Sequence, residues 1–245
     1  VVMCVFFLIE RAAPRVTGVR SSAASELYKR QAHFSEPYIS LAMAAAVTSK
    51  IKLATGITLV PERNPLILAK EISVLDLHSG GRFIFGIGAG WNREETTMMG
   101  GDFDHRWTQT REAVEGLKEL WTKDEAEYHG RFYDFPPVYS YPKPVQKPHP
   151  PIWVGGEGRR AIRRAARFGD GWQPLGNNST FPAGTEEELA VGLTRLDAEL
   201  ERAGRPAGAL EITSRMLGYD LKKNGEASGS GHAAFAGTAD EIASE

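Results

Sequence analysis

Hydrophobic residues along the chain alternate between short unbroken runs and longer stretches with helical spacing. The unbroken runs predict strands that are buried on both faces, since a half-exposed strand would alternate apolar and polar residues. Strands are therefore predicted at residues 1–9, 51–60, 82–88, 151–156, 169–174 and 210–216. Helices are predicted at residues 36–49, 66–76, 107–121, 159–168 and 186–203. Strands that alternate with helices, without hairpin turns between them, are typical of parallel βαβ units.

Boundary signals support the helix predicted at residues 66–76. Asn64 is a candidate N-cap, and Pro65 suits the first helical position because an N–H there would have no helical partner. Gly80 and Gly81 form a C-terminal stop. By contrast, residues 128–151 are rich in proline and aromatic residues without a clear period, so an irregular segment is predicted there.

The order of the elements predicts an α/β fold, specifically a (β/α)₈ TIM barrel that occupies residues 1–245 as one domain. A chain of 245 residues has the usual length for that fold, and an open Rossmann-type sheet is the alternative. The chain starts with Val1 instead of Met, and residues 238–245 resemble the start of a helix. We therefore expect a barrel that is incomplete at both termini and has an open edge.

Composition narrows the function classes. The chain is 42% hydrophobic and 24% charged, which is typical of a globular protein. Its net charge of −2 argues against a nucleic-acid surface, which needs a basic face. Cys4 is the single cysteine, which fits a reducing cytoplasm, and the apolar run at residues 1–9 is too short to span a membrane. We therefore expect a cytoplasmic protein with a small-molecule substrate and with no nucleic-acid or membrane partner.

Common catalytic motifs do not account for this chain. None of its six histidines pairs at metal-ligand spacing, so no metal site is expected. The chain also lacks a Gly-x-Ser-x-Gly elbow and a Walker pattern. Hydrolase and nucleoside-triphosphatase chemistry therefore gain no support from the sequence.

The candidate sites lie where predicted strands end, because the carboxyl ends of parallel strands gather loop amides and helix N-termini. The first candidate is Gly56, inside the strand predicted at residues 51–60. A glycine within a buried strand marks either a packing bulge or the close approach of a ligand or of another backbone segment. The residues by themselves leave both interpretations open.

The second candidate is the segment from Gly86 to Trp91, in which Gly88 and Gly90 continue the alternate glycines. Such spacing lets a flat ring or a phosphate approach the backbone. It does not match the dinucleotide-binding fingerprint, which weakens a Rossmann site. The acidic pair that follows, residues 94–95, fits either acid–base chemistry or the first turn of a helix, where acidic side chains complement the dipole.

The third candidate is the turn at Gly155, Gly156 and Gly158, which runs into a strongly basic helix beginning at Arg159. Exposed amides and positive charge at one point suit a phosphate or another anion. The alternative is a tight strand-to-helix turn followed by a solvated basic helix face.

Taken in order, these segments resemble the bacterial luciferase-like monooxygenase family, and in particular its members that use the deazaflavin coenzyme F420. The resemblance covers residues 36–172. The matching segments are residues 51–57, 63–65, 68–71, 75–76, 79–83, 86–91, 120–121, 129–133, 142–148, 152–156 and 169–172. Each segment is short, but the ordered set is specific.

The resemblance implies a (β/α)₈ barrel with the cofactor ring at the C-terminal mouth. It implies that the Gly56–Ile57 peptide is cis and presses on the back of the ring. It places residues 88–91 beside the ring and tail, residues 155–159 at the phosphate, and Trp172 at the mouth. The cofactor contacts that it implies are Gly56, Ile57, Thr58, Gly88, Ala89, Gly90, Trp91, Gly155, Gly156, Gly158, Arg159 and Trp172.

The sequence departs from the family pattern at its ends. Family members carry a Glu-His or Asp-His pair near the ring, and the counterpart here is Glu10 and Arg11, with arginine where histidine is expected. These two residues are therefore weak catalytic candidates, and the catalytic acid or base stays unassigned. The first family strand with its helix is expected to be absent, and the last strand is expected to lie beyond Glu245.

The function implied by the resemblance is hydride transfer between coenzyme F420 and a small organic substrate. One alternative is an FMN-dependent monooxygenase that uses O₂ and a partner reductase. Another, of a different class, is a non-catalytic barrel fragment. The loops that would select the substrate, residues 96–106 and 128–151, carry no recognisable code. The sequence is compatible with a homodimer.

Overall fold

The computed structural model describes residues 36–176 and 178–213, together with the backbone of the short strands Val2–Cys4, Tyr219–Leu221 and Phe235–Gly237. The catalytic candidates Glu10 and Arg11 lie outside the described residues, as does the predicted helix start at residues 238–245. The chain groups into two compact units, Val2–Ile152 and Trp153–Glu245. The assignment of a single domain therefore stays a prediction.

The first unit is built on parallel strands. β1 (Val2–Cys4) pairs with β2 (Lys52–Ala54), and β2 pairs with β4 (Phe83–Gly88). β3 (Thr58–Leu59) pairs with the end of β4. All positions of β4 are buried, as expected of a strand that has helices or other strands on both faces. The pattern that predicted buried parallel strands is confirmed here.

The helices of the first unit follow the predicted order. They are α1 (Pro37–Val47), α2 (Pro65–Ser79), α3 (Arg93–Met98) and α4 (Arg106–Thr122). α2 begins as predicted, because Asn64 Oδ1 accepts from Leu66 N at 3.0 Å. It ends at Gly80, whose φ of 68° closes the helix in the left-handed conformation.

Aromatic packing joins α2 and α4 to the sheet. The Trp121 ring of α4 meets Phe85 of β4 edge-on, with ring centroids 6.0 Å apart. Its indole N–H donates to Ala69 O of α2 at 3.2 Å, which satisfies the single polar atom of a fully buried side chain. The strand end that follows Phe85 therefore rests on a packed core.

A hairpin occupies part of the segment that was predicted to be irregular. β5 (Glu125–His129) and β6 (Asp134–Tyr139) pair antiparallel, so the prediction of irregular structure is wrong for residues 128–129 and 134–139. Two prolines inside β6 hid the strand from the sequence pattern. The hairpin is held by α4, where Glu112 Oε2 accepts from Phe132 N at 2.7 Å.

The second unit repeats the strand–helix order. β7 (Ile152–Gly155), which begins one residue before the unit, is followed by α5 (Arg159–Phe168), β8 (Gly171–Gln173), α6 (Glu186–Arg202) and β9 (Glu211–Ile212). β8 pairs parallel with both β7 and β9. α6 begins with a capping box in which Thr185 and Glu188 exchange hydrogen bonds.

These observations confirm an α/β fold with parallel strands and connecting helices. Beyond β9 the chain contributes β10 (Tyr219–Leu221) and β11 (Phe235–Gly237), which pair parallel with each other. The described strands do not establish a closed barrel of eight strands, and the open edge expected of an incomplete barrel stays a prediction. Among the described residues, no helix combines the length and the apolar character needed to cross a membrane.

Candidate functional site

The first candidate site divides the strand predicted at residues 51–60 into β2 and β3. The Gly56–Ile57 peptide between them is cis, as the resemblance predicts. Thr55 Oγ1 donates to Gly86 O of β4 at 2.8 Å, and the Thr58 hydroxyl lies 2.9 Å from the Tyr38 hydroxyl of α1. Buried hydroxyls on both sides of the Gly–Ile peptide therefore fix this stretch of backbone to its neighbours.

The first and second candidate sites meet at Gly88 and Ile57. A Cβ placed on Gly88 would lie 1.9 Å from Ile57 Cδ1, far inside any real contact distance. A side chain at position 88 would therefore force the Ile57 side chain to move. The sequence predicted glycine-lined backbone at both segments, and the structure brings the two together.

The loop after β4 is fixed from one side by Arg106 of α4. Arg106 Nε donates to Gly90 O at 3.1 Å, and its guanidinium stacks on the Phe103 ring at 3.9 Å from the centroid. Ala89 is buried, whereas Trp91 is 58% exposed. The loop therefore exposes one large aromatic side chain while its backbone is held in place.

A pair of carboxyl groups lies beside this loop. Glu62 ends the 3₁₀ turn Val60–Glu62 that follows β3, and a Cβ on Gly90 would lie 3.4 Å from Glu62 Oε1. Glu95 is only 3% exposed in the first turn of α3. Burial, and next the proximity of Glu95, raise the pKa of Glu62 to about 7. Of the two interpretations that the sequence left open for Glu94 and Glu95, the first turn of a helix is confirmed, whereas the sequence gave no sign of Glu62.

The third candidate site is held by backbone and by one indole. Gly156 has a φ of 106°, its N–H donates to Gln173 O at 3.0 Å, and its carbonyl accepts from Trp172 Nε1 at 2.8 Å. A nest of free amides was expected to include Gly156, and that part is wrong because the amide extends the pairing of β7 with β8. No side chain caps α5 at Gly158, and Ala161 N donates to Gly158 O at 2.8 Å, so the amides that this helix start can offer to an anion are those of Arg159 and Arg160.

Trp172 differs from its expected place at the mouth. Its side chain is fully buried, and a Cβ on Gly192 of α6 would lie 2.7 Å from Trp172 Cη2. The apolar ring is buried in the core while its one polar atom is satisfied by Gly156 O. Trp172 therefore supports the turn from behind and does not line an open surface.

Glu157 is a second carboxyl group that the sequence reasoning missed. It is 5% exposed and accepts from Gly176 N, so a buried carboxylate lies in the turn directly before α5. Arg159, Arg160 and Arg163 of α5 are exposed, as a solvated basic face would be. The only local signal for Glu157 was an acidic residue between glycines in a turn that otherwise favours anions.

The described features define a parallel α/β protein with glycine-rich strand ends. The family model of the luciferase-like monooxygenases matches residues 21–219. The chain belongs to the luciferase-like monooxygenase family, whose members are oxidoreductases. The assignment from the ordered sequence segments is thereby confirmed.

Similar proteins use two kinds of cofactor. An uncharacterised protein of Mycobacterium tuberculosis, Rv0953c, is 41% identical over 165 residues, which are 67% of this chain and 57% of that protein. The FMNH(2)-dependent dimethylsulfone monooxygenase of Pseudomonas putida is 36% identical over 143 residues, which are 57% of this chain and 39% of that protein. The chain spans about half the length of these curated relatives.

A solved structure adds the other cofactor. The coenzyme F420 dependent tetrahydromethanopterin reductase of Methanopyrus kandleri superimposes with a TM-score of 0.66 at 25% identity. The match covers 77% of this chain and 56% of the reductase. Family membership therefore leaves two cofactor classes, a flavin and a deazaflavin, for the residues of this chain to distinguish.

Proposed function

We propose that this protein is an F420-dependent oxidoreductase that transfers hydride between the deazaflavin and a small organic substrate. The observation that carries this choice is the buried carboxylate of Glu157 beside the uncapped start of α5. The proposal assigns the tail phosphate to the turn at residues 155–159, and the ring to the backbone at residues 56–58 and 88–91. Each assignment rests on the geometry of its own unit.

Glu157 favours the less charged of the two phosphates. FMN ends in a phosphate monoester, which carries about −1.5 to −2 charges at pH 7. The phosphate of coenzyme F420 is a diester and carries one negative charge. A carboxylate repels the monoester more strongly, and burial leaves that repulsion poorly screened by water and salt. The turn therefore favours a diester at the start of α5.

The arginines of α5 supply a second argument. Coenzyme F420 extends beyond its phosphate into a chain of carboxylates, whereas FMN stops at the phosphate. Arg159, Arg160 and Arg163 are exposed on the first turns of α5, where their guanidinium groups can pair with carboxylates. An extended anionic tail therefore uses a surface that FMN would leave uncontacted.

The residues of this chain would orient the cofactor and leave the redox chemistry to it. When bound, a reduced deazaflavin supplies the hydride. The cis Gly56–Ile57 segment, fixed by Thr55 and Thr58, offers rigid backbone against one ring face. Gly88 lets the Ile57 side chain pack against the end of β4, and exposed Trp91 offers an aromatic surface to the ring or substrate. Such rigid positioning lowers the entropic cost of reaching the reactive geometry.

The test is an anaerobic fluorescence titration of the protein with coenzyme F420 and with FMN. We expect tighter binding of coenzyme F420. Glu157→Gln should raise the affinity for FMN by roughly tenfold and change that for F420 much less, because the neutral amide removes one close repulsion. Glu201→Gln, at an exposed position of α6, is the matched control and should change neither affinity.

A second candidate function is an FMN-dependent monooxygenase that works with a partner reductase. The observation in its favour is the 36% identity to the FMNH(2)-dependent dimethylsulfone monooxygenase. Tight binding of FMN with oxygen consumption, and no affinity for coenzyme F420, would select it over the hydride-transfer proposal. Binding of neither cofactor would leave the non-catalytic fragment. The cytoplasmic location and a homodimer stay predictions.

A further inference from the structure

The Thr96 hydroxyl has one proton and two oxygen neighbours. Thr96 Oγ1 lies 3.1 Å from Asn92 O, one turn back on α3, and 3.2 Å from Glu62 Oε1. Threonine in a helix commonly donates to the carbonyl four residues before it, and a carbonyl oxygen can only accept. When Thr96 donates to Asn92, its contact with Glu62 is a hydrogen bond only if Glu62 carries a proton and donates it. Both contacts are satisfied together only when Glu62 is protonated.

The charged surroundings of Glu62 also favour its neutral form. Glu95 of α3 is buried and repels a second negative charge. The positive charge of Arg63 attracts a negative charge on Glu62. The Arg63 guanidinium, however, also pairs with Glu36 at 2.7 Å and with Glu71 at 3.6 Å. Burial and the charge of Glu95 outweigh the attraction of Arg63 and the bond that Thr96 could donate to an ionised Glu62, so the pKa of Glu62 rises to about 7.

Arg106 is the charged group that α4 contributes near this segment. Its guanidinium donates to Gly90 O and to Phe103 O, at 3.1 Å and 2.7 Å. Both bonds anchor backbone carbonyls, so Arg106 holds the loop without neutralising Glu62.

We propose that Glu62 is a positioning residue that fixes the loop from Gly88 to Trp91 while it is protonated, and that loss of its proton releases this loop. The loop backbone is in direct reach, since a Cβ on Gly90 would lie 3.4 Å from Glu62 Oε1. Thr96, the hydrogen-bond partner, lies in α3 directly after the loop. An ionised Glu62 lowers its energy by moving away from Glu95 toward water, which removes support from both ends of the Trp91 segment.

The role of Glu62 would set the pH range in which the loop is ready to bind. Below about pH 7 the neutral carboxyl group fills the space beside Gly90. Above it, the loop would spend less time in the binding conformation, and the apparent affinity for any ligand of this loop would fall by the same fraction. This consequence rests on the proposed function, because it assigns the cofactor ring to residues 88–91.

The first test follows Trp91 without any cofactor. The protein is labelled with 5-fluorotryptophan, and the Trp91 signal is assigned by its loss in Trp91→Phe. We expect its ¹⁹F shift to titrate near pH 7 in the unmodified protein and to stay flat in Glu62→Gln. Glu95→Gln should move the midpoint to lower pH by about one unit, since it removes the like charge.

Glu94→Gln is the matched control, because it removes one carboxylate from the same turn of α3 at an exposed position. It should leave the midpoint close to that of the unmodified protein. A Trp91 signal that is flat in the unmodified protein, or that titrates equally in Glu62→Gln, would overturn the proposal. If Glu62→Gln folds poorly, Glu95→Gln still tests the proposal. A midpoint in Glu95→Gln that equals that of the unmodified protein would also contradict the proposal.

The second test measures the dissociation constants of coenzyme F420 and FMN across the same pH range. The affinity for the cofactor that binds should fall above about pH 7 in the unmodified protein and stay constant in Glu62→Gln. If neither cofactor binds while Trp91 still titrates, the proposed function fails and the positioning role of Glu62 stands. If a cofactor binds with no pH dependence and Trp91 is flat, the positioning role fails and the function stands.

Discussion

The two glycine-rich strand ends of this protein are supported in different ways. In the first unit, the backbone around the Gly56–Ile57 peptide and Gly90 is held by side chains from Thr55, Thr58 and Arg106, and Glu62 lies beside Gly90. In the second unit, Gly156 is held by a backbone amide–carbonyl bond and by an indole N–H.

The difference indicates which conditions each region should respond to. A carboxyl group with a pKa near 7 supports the first region, whereas the amide and indole bonds that hold Gly156 do not titrate in that range. The second region instead faces exposed arginines, whose attraction for an anion is screened by salt. We therefore expect pH to act on the first region and ionic strength to act on the second.

Gly156→Asp should give the largest effect and test the second region alone. Position 156 has a φ of 106°, which side chains rarely adopt, and aspartate adds a negative charge at the proposed phosphate turn. We expect cofactor affinity to fall by roughly 100-fold or more, measured by fluorescence titration. Gly156→Ala is the control, because it places a side chain at the same unfavourable φ but adds no charge. Equal affinities for the two variants would show that charge at this turn is irrelevant.

Gly88→Ala should be the next largest change and compares the regions directly. The added methyl group would overlap Ile57 Cδ1, whereas Gly158 has nothing within 4 Å of its Cβ position and an ordinary φ of −64°. Overpacking of this kind costs about 1–3 kcal/mol. Thermal unfolding of Gly88→Ala should therefore begin earlier, while Gly158→Ala should unfold like the unmodified protein. Equal melting of both variants would contradict the close approach at Gly88.

Glu62→Gln should have the smallest effect, a change in the pH dependence of stability. Because the folded pKa of Glu62 is raised, its protonated form stabilises the fold fully below the ordinary value of 4.5, and this contribution is lost as pH rises to about 7. Above that pH, the Tm of the variant should exceed that of the unmodified protein, by roughly 2–4 °C for each kcal/mol of difference in the free energy of unfolding. Parallel Tm curves for the two proteins from acid to alkaline pH would argue against a raised pKa.

Capping and glycine signals between neighbouring residues allowed the helix ends and the glycine-rich strand ends to be predicted. Asn64 and Gly80 mark the ends of α2 through capping chemistry that involves only neighbouring residues. The glycine-rich strand ends were found for the same reason, although the cis peptide came from the family resemblance. The hairpin at residues 125–139 was missed because prolines inside a strand contradict the usual local pattern.

The carboxyl groups of the site could not be predicted in this way. Glu62 and Glu157 acquire their properties from burial and from neighbours that are distant along the chain, namely Thr96 and Gly176. Trp172 was placed at the mouth by the family resemblance, but the approach of Gly192 encloses its ring. Tertiary packing decides all of these positions, and it leaves no periodic trace in the sequence.

The close approach of Gly88 and Ile57 constrains how this family branch can diverge. A methyl group at position 88 is accepted more easily once Ile57 has been shortened, because Ile57 Cδ1 otherwise has to move out of that space. Ile57→Ala is therefore a permissive substitution, and Gly88→Ala should cost less stability after it than before it. Among homologues, residues larger than glycine at position 88 should occur mainly with small residues at position 57. The order of the two substitutions is thus set by sterics and not by chance.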